Sequence, residues 1–216
     1  AQSLTYTYPG SPMPTIKQVS LQLQEGQWLG LTGVTGAGKT SLIKLLLGIL
    51  PAEQGSLVGP DAEDLAWVPQ QAQLFKGTIR SNLLLAQDKA SDQDLWQALA
   101  LAQADDFVAE KGGLDVQVTA FGRNFSGGQR QRLTVARALL KAKKGLILDD
   151  ATSALDYATE SRLLSGLKAA RPDLMVIMIS QRLNALRFAD QILVLEDGQA
   201  TGYGLAQDLA QSNPYY

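Results

Sequence analysis

The eight residues GVTGAGKT at Gly33–Thr40 have the spacing of a loop built to hold phosphate. Glycines let backbone N–H groups turn toward an anion, and a helix opening at Lys39 adds its positive end. Lys39 can reach a β- or γ-phosphate, and the Thr40 hydroxyl can ligate Mg²⁺. Gly33, Gly36, Gly38, Lys39, Thr40 and Ser41 are therefore the candidate contacts to a nucleotide such as ATP. The strand before the loop and the helix after it argue against a merely structural turn. Asp149 closes the apolar run Leu146–Asp149 and is placed to hold a Mg²⁺-bound water beside that loop, with helix capping as its competing reading. Ser126-Gly127-Gly128 predicts a second anion site, because a hydroxyl and glycine amides open a helix there. A phosphate loop and a separate phosphate-sensing helix start in one chain suggest that the two face each other across a dimer.

The elements that must position these residues follow an α/β pattern with a largely parallel core sheet. Gln27–Thr32 reads as the strand entering the glycine loop, and Lys39–Leu50 as the helix leaving it. Leu146–Asp149, Leu174–Ile179 and Gln191–Glu196 are short apolar runs bounded by polar residues, which is how buried strands read. Asp197-Gly198 signals a hairpin. From Gln70 to Glu110 the chain turns helix-rich, with helices expected at Asp92–Leu101 and Ala104–Glu110 and no strand. The helix after Ser126 should run to about Leu140 on an apolar stripe of Leu133, Ala136, Leu139 and Leu140.

Composition narrows the chemistry. A chain of 216 residues, 45% hydrophobic and 19% charged, can bury one sizeable core or two closely packed lobes. The net charge of −2 and the lack of a basic cluster argue against nucleic acid as a partner. Without cysteine there is no disulfide and no thiolate metal site, as in a reducing compartment. Without histidine, a general base must be a carboxylate or a shifted lysine. No apolar stretch reaches the roughly 18 residues of a membrane helix, and no signal peptide is evident, so a soluble chain on the side where it is made is expected. A start at Ala1 without methionine favours a piece of a longer polypeptide.

The order of motifs, GVTGAGKT, then WVPQ ending at Gln70, then FSGGQRQR at Phe125–Arg132 and LILDDATSALD at Leu146–Asp156, resembles the nucleotide-binding domain of ABC transporters from about Leu4 to Leu209. The resemblance implies a P-loop NTPase of the ABC ATPase type, with a RecA-like core sheet, a small antiparallel β lobe and a helical signature subdomain. The core would take about residues 1–69 and 141–216, and the helical subdomain about 70–140. By similarity, Tyr8 in LTYTYPG stacks on adenine, with Tyr6 the competing choice, and Gln70 contacts Mg²⁺ and senses the γ-phosphate. Ser126, Gly127, Gly128 and Gln129 would close over a partner's ATP. Ser153–Asp156 resembles the D-loop that crosses the dimer interface, which makes Asp156 a further candidate contact. LFKGTIRSNL at Leu74–Leu83 resembles exporters, where this region touches the membrane-spanning part. A transmembrane domain and a second nucleotide-binding domain are the implied partners, at the cytoplasmic face of the cell membrane.

The departures from the family pattern that bear most on catalysis fall in one place. Asp150 stands where the family has its glutamate base, shorter by one carbon–carbon bond, roughly 1.5 Å. A misplacement of about 1 Å can cost about 100-fold, so hydrolysis should be slow. Gln181 stands where the family has its switch histidine; it can hydrogen-bond a γ-phosphate but carries no charge. Asp150, Gln181 and Gln70 are the catalytic candidates, and Thr40, Gln70 and Asp149 the metal ligands. Damage to the chain's own site beside an intact FSGGQ helix is what the degenerate subunit of a heterodimeric exporter would show. An active homodimer using Asp150 as base, and a regulatory module that never turns over, are the alternatives. The stretch between Gly48 and Gln70 is short, which predicts a reduced β lobe, and VTAFGRNF lacks the acidic residue common before the signature.

Overall fold

Residues 1–212 are described by the computed structural model. In chain order they form β1 (Gln2–Tyr6), β2 (Ile16–Val19), β3 (Trp28–Thr32), α1 (Lys39–Leu46), β4 (Gln54–Ser56) and β5 (Leu65–Val68). Next come β6 (Gly77–Thr78), α2 (Ile79–Leu84), α3 (Asp92–Leu101), α4 (Asp105–Lys111), β7 (Gln117–Val118) and α5 (Gly127–Lys141). The last part holds β8 (Gly145–Asp149), α6 (Tyr157–Ala170), β9 (Met175–Ile179), α7 (Leu183–Leu186), β10 (Gln191–Glu196), β11 (Gln199–Gly204) and α8 (Ala206–Ser212).

A six-stranded sheet in the order β11-β10-β3-β9-β8-β5 is parallel except at its β11 edge. Alternation along its strands sends side chains to two cores. In β8, Leu146 and Leu148 join a cluster with α2 to α6, whereas Ile147 faces the other way toward α1, β1 and β2. In β9, Val176 and Met178 take the first side and Ile179 the second. Burial on both faces is why these strands read as unbroken apolar runs. The β2-β1-β4 sheet is the small antiparallel lobe, and its third strand has three exposed residues. The Asp197-Gly198 hairpin is present, with φ of 44° and 78° at the two residues, the positive pair that matches strand twist.

Two expectations need correction. The helix after the phosphate loop stops at Leu46, not Leu50: Gly48 turns left-handed and the Ile49 N–H bonds the Lys44 carbonyl at 2.9 Å, closing the helix end. The Gln70–Glu110 segment is not free of strand. Gly77–Thr78 pairs antiparallel with Gln117–Val118 and tethers the start of α2 to the residues before α5.

Candidate nucleotide-binding site

Four neighbouring strands of the sheet deliver the predicted residues from their C-terminal ends, where open α/β sheets bind ligands. β3 leads into Gly33–Gly38, β8 ends at Asp149, β9 leads to Gln181, and β5 leads to Gln70. Together they border a cleft of about 600 Å³ that includes Lys39, Thr40, Gln70, Asp149, Asp150 and Gln181. The loop's own geometry requires glycine at Gly33, whose φ is 140° and where a Cβ would lie 2.0 Å from the Leu195 carbonyl oxygen. Gly36 and Gly38 also turn left-handed, and Gly38 caps α1.

Lys39 Nζ donates to the Gly33 and Val34 carbonyls, both at 2.8 Å, so it folds back over its loop. Burial pushes its ammonium below the ordinary lysine value, with Asp149 and Asp150 acting in the opposite direction. Thr40 Oγ1 donates to Asp149 Oδ2 at 3.2 Å. Asp149 is 4% exposed, and burial pushes its carboxyl above the ordinary aspartate range; the Thr40 hydrogen bond opposes this and the Asp150 charge adds to it. A buried carboxylate beside a hydroxyl suits Mg²⁺, which binds through one or two carboxylates plus substrate phosphates. Among the described residues no cluster of three or more acidic side chains forms an all-protein metal cage. Thr40, Asp149 and the nearby Gln70 are the groups that would hold the ion.

Asp150 has a φ of 51°, and its N–H bonds the Ile179 carbonyl at 3.1 Å, which fixes it across from β9. Gln70 Nε2 lies 3.4 Å from Asp150 Oδ2, so the catalytic candidates Gln70 and Asp150 meet. Gln181 borders the same cleft and is exposed. Of the two tyrosines, Tyr8 is the one beside the loop: its phenol oxygen is 3.2 Å from Ser41 Oγ, while Tyr6 is buried and meets Tyr8 edge-on.

The second predicted site stands apart. Ser126 caps α5, accepting from the Gln129 N–H at 3.2 Å, and Gln129 Oε1 accepts from the Ser126 N–H at 3.0 Å. This reciprocal cap fixes the helix start. Ser126, Gly127 and Gly128 share a separate hollow with Asp156, whose carboxylate caps α6 through the Thr159 N–H at 3.0 Å. The structure thus brings together the loop, Gln70, Asp149, Asp150 and Gln181, and keeps Ser126–Gln129 with Asp156 in the other place.

The family model described as "ABC transporter" matches residues 16–153, which contain the loop, Gln70, the Ser126 helix start and Asp149. The chain belongs to the ABC transporter family. The ABC domain is 38% identical, over its full length, to an ATP-dependent lipid A-core flippase of Photobacterium profundum, and 34% identical over 99% of its length to a probable multidrug resistance ABC transporter ATP-binding/permease protein of Bacillus subtilis. It spans 39% and 38% of those two proteins. A bacterial Atm1-family ABC exporter solved with ATP bound superimposes with a TM-score of 0.92 at 30% identity, covering 99% of the ABC domain and 40% of that chain. The ABC ATPase fold read from the motifs is the one observed.

Two residues of the ABC domain were not singled out by sequence. Arg182 follows Gln181, and Gln131 lies two residues after Gln129; both grip the segment after Asp150. Their places beside named motifs were visible, but their partners lie more than 20 positions away in the chain.

Proposed function

We propose that the ABC domain is the ATP-binding motor of an exporter, working at the cytoplasmic face of the cell membrane with a transmembrane domain and a second nucleotide-binding domain. The observation that carries this is the convergence of Lys39, Thr40, Asp149 and Gln70 on one cleft beside Tyr8, in a fold superimposable on an ATP-bound exporter. An apolar cleft of about 450 Å³, bordered by Ile49, Trp67, Phe75 and Leu85, offers the membrane part a docking place next to the exporter-like Leu74–Leu83 run. Phe75 and Leu85 are exposed there.

Its own site is the weak one of a heterodimer. Asp150 is a methylene short of glutamate and turned toward Gln70, and Gln181 brings no positive charge to a γ-phosphate. The capped Ser126 helix is intact and would complete the partner's site with Gly127, Gly128 and Gln129. The test measures Mg²⁺-dependent ATP binding and turnover of the chain, unmodified and with Asp150→Glu plus Gln181→His. Binding in both with fast turnover only after the double change supports the weak-site reading. Fast turnover by the unmodified chain would make Asp150 a working base and the active unit a homodimer.

A further inference from the structure

The segment from Asp150 to Asp156 joins the two candidate anion sites, and it has no helix or strand of its own. Two turn bonds, Ser153 N–H to the Asp150 carbonyl at 3.2 Å and Leu155 N–H to the Thr152 carbonyl at 2.9 Å, shape it, and side chains from outside also hold its carbonyls. Arg182 donates to the carbonyl oxygens of Thr152 at 3.4 Å and Leu155 at 3.0 Å, and its other terminal nitrogen donates to the Ser153 carbonyl. The same guanidinium is 3.6 Å from Glu160 Oε1, a carboxylate on α6 whose side chain is 2% exposed and whose Oε1 has no hydrogen bond. The Arg182 backbone is itself anchored, its N–H bonding the hydroxyl of buried Ser180 at 3.0 Å. From the opposite side Gln131, on the helix that Ser126 opens, accepts from the Ala154 N–H at 2.9 Å and donates to Ser153 Oγ at 3.2 Å.

A planar fork can satisfy several carbonyls and a carboxylate at once, whereas an ammonium is a point donor on a flexible stem. Resting on the ATP-binding reading above, we infer that Arg182 is a positioning residue: it ties Gln181, at the phosphate cleft, to the Thr152–Leu155 segment and through Gln131 to the start of α5. Nucleotide bound at the chain's own loop then changes the order of the Ser126 helix start, which serves the other site. Removing the fork leaves the ends of the linkage standing but cuts it in the middle.

The experiment is amide hydrogen exchange of the full chain with and without Mg²⁺-ATP at saturating concentration, read by peptide at residues 33–40, 151–156 and 126–130. The unmodified chain should show ATP-induced protection in all three. Arg182→Lys keeps the charge opposite Glu160 and loses the fork; it should retain protection at 33–40 and lose it at 126–130. Arg182→Gln with Glu160→Gln leaves no uncompensated buried charge and should behave the same way, which keeps the question decidable if the lysine variant folds poorly. A purely structural role would raise exchange at 151–156 equally with and without ATP while leaving the ATP-induced change at 126–130 in place, and that result overturns the proposal. ATP-induced protection missing even at 33–40 of the unmodified chain would instead overturn the ATP-binding reading and this inference with it.

Discussion

The two candidate anion sites of this chain make opposite use of their residues. At the Ser126 helix start the side chains of Ser126, Gln129 and Asp156 already have partners within the chain: hydroxyl to amide, amide side chain back to the cap, and Asp156 to its own helix. At the Gly33–Thr40 loop burial works against both charges, raising the Asp149 carboxyl and lowering the Lys39 ammonium, while their mutual attraction opposes both shifts. A self-satisfied helix start can present N–H groups to an incoming phosphate without reorganising. A ligand that carries both phosphate and metal would give each of these partly desolvated charges a further partner. Asp150 and Gln181, the two residues proposed to slow hydrolysis, both border this loop's cleft.

The largest way to sharpen this contrast is to repair that site. Asp150→Glu with Gln181→His should raise turnover by about 100-fold or more, since a positioned base contributes about 10²–10⁴-fold; steady-state phosphate release reads it. Next, Lys39→Met should weaken ATP binding about 10- to 100-fold, the scale of losing a charge-assisted hydrogen bond of about 1.5–3 kcal/mol, read by calorimetry.

Asp149→Asn gives a smaller and opposite pair of effects. The folded carboxyl titrates above its unfolded value, so folding favours the protonated form. The stability this contributes is full below the ordinary aspartate range and is lost as pH rises through the raised value. At neutral pH the asparagine variant should therefore melt higher, by a few degrees if about 1 kcal/mol is relieved in a domain this size. The gain should vanish in acid, and Mg²⁺ stimulation of ATP binding should be lost. The last effect, on stability alone, belongs to the Ser126 helix start. Ser126→Ala removes a cap worth ~1 kcal/mol, lowering the melting temperature by about 2–4 °C with no gain in acid or at neutral pH.

Much of this was legible because phosphate chemistry constrains sequence locally. Gly33, Lys39 and Thr40 must be close in the chain to be close in space, and the Gln191–Glu196 and Asp92–Leu101 elements carry their apolar patterns within their own length. β5 escaped notice because Leu65–Val68 is four residues long and makes sense only as the edge of a sheet whose neighbour, β8, is 80 positions on. α2 escaped because its capping box closes through Ser81 rather than a glutamate or glutamine. The Arg182 grip on Thr152, Ser153 and Leu155 is a tertiary fact, invisible until β9 and β8 are paired.

One complementation measurement bears most directly on the division between a weak loop and a working helix start. A repaired chain carrying Asp150→Glu and Gln181→His is also given Ser126→Arg, so that its loop is competent and its helix start is blocked. Alone it should not turn over ATP, and neither should the unmodified chain. Mixed, they should, because the unmodified chain's Ser126 helix completes the repaired loop. Brisk turnover by the unmodified chain alone, or an inactive mixture when the Asp150→Glu and Gln181→His chain is active by itself, would contradict the account.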